Sequence, residues 1–136
     1  MPEFPEIRTI RIAAAVILDG DRKLLLVRKR GTSAFMQPGG KIEPGELAAD
    51  ALARELVEEL GVRVAPGGSS YLGCFSAPAA NEQGATVEAE LFELSIAGQP
   101  RPAAEIEEII WLDTASHDGF DLAPLTRDTV LPLYRR

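Results

Sequence analysis

The residues most able to do chemistry are three glutamates on one predicted helix. At about 100° per residue, Glu55, Glu58 and Glu59 fall within roughly 100° of arc on a single helix face. Carboxylates this close repel one another, and only Arg54 offers a nearby compensating charge. Because hard oxygen ligands suit Mg²⁺ or Mn²⁺, the pattern predicts a divalent-metal site. A solvated acidic helix face is the alternative interpretation.

The helix that carries these acids is predicted over residues 47–60, which are good helix formers. Pro44 and Gly45 break the chain before it, and Gly61 is the expected C-terminal cap. An apolar face adjoins the acidic one and comprises Ala49, Leu52, Ala53, Leu56 and Leu60. The helix can therefore pack into a core while presenting its carboxylates at the rim of a pocket.

Two features that flank the helix could contact a ligand. Gly39 and Gly40 allow the backbone to approach a ligand closely, so a carbonyl oxygen there could join the metal ligands. A basic cluster lies upstream, formed by Arg28, Lys29 and Arg30. Arg28 and Arg30 share one strand face and are the favoured pair for binding a substrate phosphate. A solvated strand end is the alternative for this cluster.

Composition restricts the class of protein. A chain of 136 residues fits one domain, residues 1–136, with a short N-terminal arm at residues 1–6. The formal net charge of −7 argues against a nucleic-acid polymer as partner, although it allows a small nucleotide. The single Cys74 is predicted to be a buried core thiol. No apolar stretch is long enough to span a membrane, and the N-terminus lacks a signal-peptide pattern, so a cytoplasmic location is expected. A homodimer is left open.

The pattern of elements predicts an α/β fold. Strands are expected at residues 7–18, 23–27, 62–65, 71–75, 86–96 and 109–112. A turn at residues 19–21 would join the first two strands as a hairpin, and a loop would follow at residues 76–84. A second amphipathic helix is expected within residues 121–134. Together these elements predict a sandwich with a mixed β-sheet between helices.

The segment from Gly40 to Val62 resembles the Nudix box. The matching pattern is Gly40, five residues, Glu46, seven residues, then Arg54-Glu55-Leu56-x-Glu58-Glu59-x-Gly61-Val62. Every fixed position of the box is matched. The resemblance implies a Nudix-like α/β/α sandwich with a mixed β-sheet between helices. It also implies hydrolysis of the diphosphate bond in a nucleoside diphosphate linked to another moiety.

The resemblance assigns roles to the residues of the box. The ligands of a bound Mg²⁺ or Mn²⁺ would be the carboxylates of Glu55, Glu58 and Glu59 and the carbonyl oxygen of Gly39. Glu46 and Arg54 would orient the helix and its ligands, and the local salt bridge between them is compatible with that role. Gly40 would lie against the substrate.

A catalytic base is expected outside the box. Acids beside bound cations are poorer bases, and Nudix enzymes often recruit a glutamate from the loop before the last strand. Glu105 ranks first here because its loop is taken to be free to move over a pocket. Glu108 ranks second and Glu82 third, and an acidic surface loop without a catalytic part is the alternative.

The substrate is less closely defined. A nucleoside triphosphate or a related house-cleaning substrate is the first expectation. ADP-ribose or another nucleotide sugar is an alternative, for which Pro78, 16 residues after Val62, is a weak indicator in this family. A non-catalytic nucleotide-binding Nudix module would commonly lose box glutamates, and a prenyl-diphosphate isomerase would need more than an isolated Cys74. Aromatic residues that could stack on a base, although core packing is favoured for each, are Phe35, Tyr71, Phe75 and Phe92.

Overall fold

The computed structural model describes residues 8–134, so the predicted arm at residues 1–6 lies outside the described residues. Seven strands form two sheets. The four-stranded sheet has the order β4-β1-β6-β5, with β1 Arg8–Val16, β4 Gly39–Lys41, β5 Arg63–Pro78 and β6 Ala85–Ala97. The three-stranded sheet has the order β3-β2-β7, with β2 Leu24–Lys29, β3 Phe35–Met36 and β7 Ile106–Leu112. Helix α1 is Ala48–Leu60, and a π-helical turn, Thr126–Val130, leads into α2, Leu131–Tyr134.

Two hydrophobic clusters lie on opposite faces of these sheets. In β1, Ala13 and Ala15 pack into the cluster that contains α1, whereas Ala14 and Val16 pack into the cluster that contains the C-terminal helical segment. Strand β2 divides its side chains between the two clusters in the same way. Because β1 pairs parallel with β6 and antiparallel with β4, the larger sheet is mixed. The predicted α/β/α sandwich is confirmed.

Helix α1 agrees closely with its prediction. It ends at Gly61, which adopts the left-handed conformation at φ 67° and donates its amide to the carbonyl oxygen of Val57. The buried face is rotated relative to the prediction, because Ala51 is buried whereas Ala49 is exposed. The rotation carries Glu59 into the interior beside the apolar residues. The acidic face is therefore not uniformly solvated.

The turn at residues 19–21 forms, but the hairpin beyond it does not. The Oδ1 atom of Asp19 accepts the amides of Asp21 and Lys23 at 2.9 and 2.8 Å. Leu18 and Leu24 form a single bridge, after which β1 and β2 enter different sheets. The predicted hairpin is wrong beyond this turn because β6 and β4 pair with the two sides of β1.

The two strands predicted at residues 62–65 and 71–75 are one strand. Strand β5 continues from Arg63 to Pro78 along β6, with one register shift between Val64 and Ser69 and another between Tyr71 and Gly73. An edge strand tolerates such bulges and a proline because one of its sides is unpaired. Cys74 is exposed on this edge strand, so the prediction of a buried core thiol is wrong.

The second helix forms inside the predicted range, but not as a regular α-helix. In its π-helical turn the amide of Leu131 donates to the carbonyl oxygen of Thr126, five residues earlier. Val130 and Leu131 are fully buried, whereas Leu133 in the same segment is 58% exposed. Within residues 8–134, no helix has the length and hydropathy needed to cross a lipid bilayer.

Candidate active site

Gly39 and Gly40 hold two glutamates of the box at close range. The amide of Gly39 donates to Oε1 of Glu59 at 3.1 Å. Gly39 lies so close to β1 that a Cβ atom there would stand 2.0 Å from the carbonyl oxygen of Ala13, and its φ is 145°. A Cβ atom on Gly40 would stand 2.5 Å from the carboxyl carbon of Glu55. The first glycine is therefore required by the sheet, and the second by the Glu55 carboxylate.

Arg54 fixes the acid at the start of the box and one acid of the helix. Its Nε and Nη2 atoms donate to the two carboxylate oxygens of Glu46 at 3.0 and 2.9 Å. Its Nη1 atom donates to Oε1 of Glu55 at 2.8 Å, and Nη2 also reaches the carbonyl oxygen of Lys41. These hydrogen bonds lower the pKa of Glu46 to about 2 and raise the pKa of Arg54. The guanidinium thus joins the loop, β4 and the acidic face.

The three helix acids differ sharply in burial. Glu58 is exposed and reaches Arg54 at 3.9 Å, whereas Glu55 is half-buried and Glu59 is only 4% exposed. Burial raises the pKa of Glu59 to about 7, partly offset by the Gly39 amide, and burial is also the main cause of the raised pKa of Glu55. Among residues 8–134, no group of three or more His, Cys, Asp or Glu side chains is already close enough to hold a metal ion. The acids share one face, but their oxygens do not yet converge.

A cavity of about 150 Å³ opens beside these acids, and Gly39, Gly40 and Glu59 form part of its wall. The rest of the wall comes from β1, β6, the C-terminal segment and residues 78–82, and it also contains Lys29 and Lys41. Its aliphatic side chains include Ile10, Ile12, Ala14, Val87, Ala123 and Leu125. None of the described lining residues is aromatic. Of the four aromatic candidates, Phe35 and Phe92 are buried as predicted, whereas Tyr71 is 57% exposed and is not a core residue.

In the basic cluster, Lys29 lines the cavity, whereas the predicted phosphate-binding residues Arg28 and Arg30 do not. Arg28 donates to Glu108 at 2.9 Å and Arg30 donates to Glu107 at 3.2 Å, so both arginines are paired with acids of β7. Lys29 lines the cavity instead, and its charge lowers the pKa of the buried Glu59. A register shift between Arg28 and Lys29 interrupts the alternation on which the sequence-based choice rested.

The three candidates for the catalytic base differ in their charged neighbours. Glu108 pairs with Arg28, and Glu82 lies within 3.0 Å of Arg8 and 3.8 Å of Lys41. Glu105 is exposed, and its charge contributes to the raised pKa of Glu59. Glu105 is therefore the candidate whose charge acts on the box acids.

Comparison with known proteins agrees with this geometry. A family model described as the NUDIX domain matches residues 8–133. A provisionally named 8-oxo-dGTP diphosphatase of Bacillus subtilis is 33% identical over 66 residues, which cover 48% of this chain and 43% of that protein. An ADP-ribose pyrophosphatase of Methanocaldococcus jannaschii is 29% identical over 105 residues, which cover 75% of this chain and 61% of that protein. The chain thus spans about half the length of these curated relatives.

Solved structures agree on the fold. The MutT protein of Methanosarcina mazei Go1 has a TM-score of 0.76 and 23% identity, with 95% of this chain and 94% of that chain covered. At this identity the likeness concerns the fold alone. Because the family model covers nearly all the described residues, the resemblance suggested by the box is confirmed, and the chain belongs to the Nudix family.

Proposed function

We propose that the protein is a metal-dependent diphosphohydrolase that cleaves a pyrophosphate bond in a nucleoside diphosphate derivative, with nucleoside triphosphates as the first substrate class. The observation that supports this proposal is the packing of Gly39 and Gly40 against Glu59 and Glu55 at the wall of a cavity. The provisional 8-oxo-dGTP diphosphatase among the relatives favours the same substrate class.

The donor set fits a divalent cation. Carboxylate and carbonyl oxygens are the ligands that Mg²⁺ and Mn²⁺ prefer, and the glycines leave the space beside Glu55 clear of side chains. We assign the cation to Glu55, Glu58 and Glu59, with the Gly39 carbonyl as a further ligand. Divalent cations supply positive charge that polarises phosphoryl oxygens and makes water a stronger nucleophile.

The remaining residues orient the reacting groups. Arg54 holds the Glu55 carboxylate in place through its bond to Oε1, while its two bonds to Glu46 fix the guanidinium itself. We propose Glu105 as the proton acceptor for the attacking water, because its charge already acts on Glu59 from outside the helix. We propose Lys29, rather than Arg28 or Arg30, as the cation that contacts a substrate phosphate, because it lines the cavity.

ADP-ribose is the second candidate substrate. Pro78, the weak indicator of this preference in the sequence, lies on the cavity wall, where it would contact the bound substrate. The relative from Methanocaldococcus jannaschii is named as an ADP-ribose pyrophosphatase and matches a longer part of the chain. A non-catalytic nucleotide-binding module is disfavoured because every box glutamate is retained. We further propose that the enzyme works in the cytoplasm, where the exposed Cys74 would remain reduced.

The test is a substrate panel with and without metal. Nucleoside triphosphates, 8-oxo-dGTP, ADP-ribose, dinucleoside polyphosphates and nucleotide sugars are incubated with Mg²⁺, Mn²⁺ or EDTA, and released phosphate, pyrophosphate and monophosphate are measured. We expect cleavage that requires millimolar metal and that falls about 10²-fold in kcat in Glu58→Gln and Glu59→Gln. Asp50→Asn, an exposed acid in the first turn of the same helix, is the matched control. Equal cleavage in EDTA would show that the metal mechanism is wrong.

A further inference from the structure

A buried polar pair forms part of the cavity wall. Gln37 is 5% exposed and Thr126 is fully buried, and both residues line the cavity. The hydroxyl of Thr126 donates to Oε1 of Gln37 at 2.9 Å, and Nε2 of Gln37 donates to the carbonyl oxygen of Ala15 at 2.9 Å. The pair therefore joins the segment just before the box to the C-terminal helical segment.

These two bonds fix the orientation of the Gln37 amide. A backbone carbonyl can only accept, so the atom that faces Ala15 must be the amide nitrogen. The hydroxyl of Thr126 then donates to the amide oxygen. A primary amide has two N–H donors and an oxygen with two lone pairs. The amide of Gln37, a residue that lines the cavity, therefore retains one further N–H donor and one further oxygen lone pair.

Resting on the proposed function, we propose that the cavity takes the nucleobase of the substrate and that the Gln37 amide, held by Thr126, hydrogen-bonds the edge of that base. A glutamine amide can pair with a base edge that presents a donor beside an acceptor. The aliphatic residues Ile12, Val87 and Leu125 would contact the faces of the base. A cavity of about 150 Å³ is large enough for a benzene-sized ring.

The position of Gln37 in the chain supports this assignment. Gln37 stands two residues before Gly39, whose amide binds Glu59. A base against Gln37 would therefore lie next to the carboxylates that we assign to the divalent cation. The competing explanation is purely structural: the pair ties two segments together and has no contact with substrate. The two explanations differ in what happens to ligand binding when the pair is removed.

The first experiment measures binding to the metal-free protein in EDTA by calorimetry. The probes are AMP, GMP, CMP, UMP, 8-oxo-dGMP and ribose 5-phosphate, which lacks a base. We expect at least one nucleotide to bind about tenfold more tightly than ribose 5-phosphate. Gln37→Met keeps the length of the side chain and removes its hydrogen bonds, so it should weaken the binding of that nucleotide about fivefold to tenfold. The affinity for ribose 5-phosphate should not change. Wild-type protein that binds all probes alike, or none, would overturn the inference.

The second experiment separates recognition from stability. Thr126→Val removes the hydroxyl at nearly constant volume and should reduce the preference for a base, whereas Thr126→Ser keeps the hydroxyl and should retain it. Thr114→Val is the control, since Thr114 is also buried but donates to the carbonyl oxygen of Tyr134 and lies outside the cavity lining. If Thr126→Val and Thr114→Val lower the melting temperature alike and Thr126→Val keeps the wild-type preference, the pair is structural.

These measurements do not depend on turnover. Base-dependent binding of these probes, together with no hydrolysis of any compound in the substrate panel, would remove the proposed function and leave this inference standing. Hydrolysis of nucleotides in the substrate panel, together with binding that does not depend on the base, would support the proposed function and overturn this inference. Gln37→Met and Thr126→Val provide independent readouts, so the inference remains testable if one of them does not fold.

Discussion

Substituting alanine for Gly39 and for Gly40 in turn should separate the chemistry of the site from the stability of the fold. Gly40 has a backbone conformation open to other residues, so the effect of Gly40→Ala comes from its new methyl group alone. That methyl would stand 2.5 Å from the carboxyl carbon of Glu55 and 2.7 Å from both of its oxygens. To reach the 3.4 Å at which ordinary contact begins, the carboxylate must move by about 0.9 Å.

The two substitutions should differ in how much they lower kcat and how much they destabilise the fold. A misplacement of about 1 Å in a reacting group can cost about 10²-fold in rate, so Gly40→Ala should lower kcat by that amount. The moved group is the end of a flexible side chain, and weakening its bond to Arg54 should cost about 1 kcal/mol of folding free energy. In Gly39→Ala the methyl meets backbone atoms of Ala13 and Ala14, and the φ of 145° is strained for alanine. We expect about 3 kcal/mol or more of destabilisation there.

The assay combines steady-state kinetics at saturating Mg²⁺ with thermal unfolding in EDTA. Gly40→Ala should keep its melting temperature within about 5 °C of wild type, and Gly39→Ala should lose about 10 °C or more. Gly20→Ala is the control, because no atom lies within 4 Å of the added methyl and its φ is not left-handed. Wild-type kcat in Gly40→Ala, or a loss of stability equal to that of Gly39→Ala, would refute this account of the second glycine.

Three further predictions concern charged groups of the site. Burial raises the pKa of Glu59 from 4.5 to about 7, so the folded state holds this proton more tightly than the unfolded state. As the pH rises from 4.5 to 7, the metal-free protein should therefore lose about 3 kcal/mol of unfolding free energy relative to Glu59→Gln. Parallel plots of unfolding free energy against pH for the two proteins would contradict this. Arg54→Lys keeps the charge but loses the two-point bond to Glu46, so kcat should fall about tenfold with little change in melting temperature. Wild-type turnover would show that this bond does not position the site. Glu105→Gln should lower kcat about 10²-fold and alter the acidic limb of the pH–rate profile, while Glu107→Gln should do neither. An unchanged acidic limb would exclude Glu105 as the base.

Local features of the chain were predictable from its sequence. The spacing of Gly40, Glu46 and the acids defined the family, and the flanking residues defined helix α1 and its cap at Gly61. Each of these depends on residues within about two dozen positions of each other. Local periodicity and local turn chemistry are the strongest signals in a single sequence.

Features that depend on distant partners were not predictable. Arg28 looked free to bind phosphate because its partner, Glu108, is 80 residues away in the chain. The register shift after Arg28, which interrupts strand alternation ahead of Lys29, has no signature in the sequence. The same holds for the pairing of β1 with β6, which replaced the expected hairpin. Side-chain periodicity states which residues share a face, but not which strand or acid lies opposite them.

The loop of residues 98–105 shows how such distant contacts change the interpretation of a site. From the sequence, Glu105 was favoured because this loop was taken to be free to move. The amides of Arg101 and Ala103 instead donate to the carbonyl oxygens of Leu60 and Glu59, the last carbonyls of α1, which lack partners within the helix. The carbonyl oxygen of Glu105 accepts the amide of Arg30. The backbone that carries Glu105 is therefore held from both sides, so any catalytic role of Glu105 would rest on preorganisation of this backbone by α1 and β2 rather than on closure of a lid.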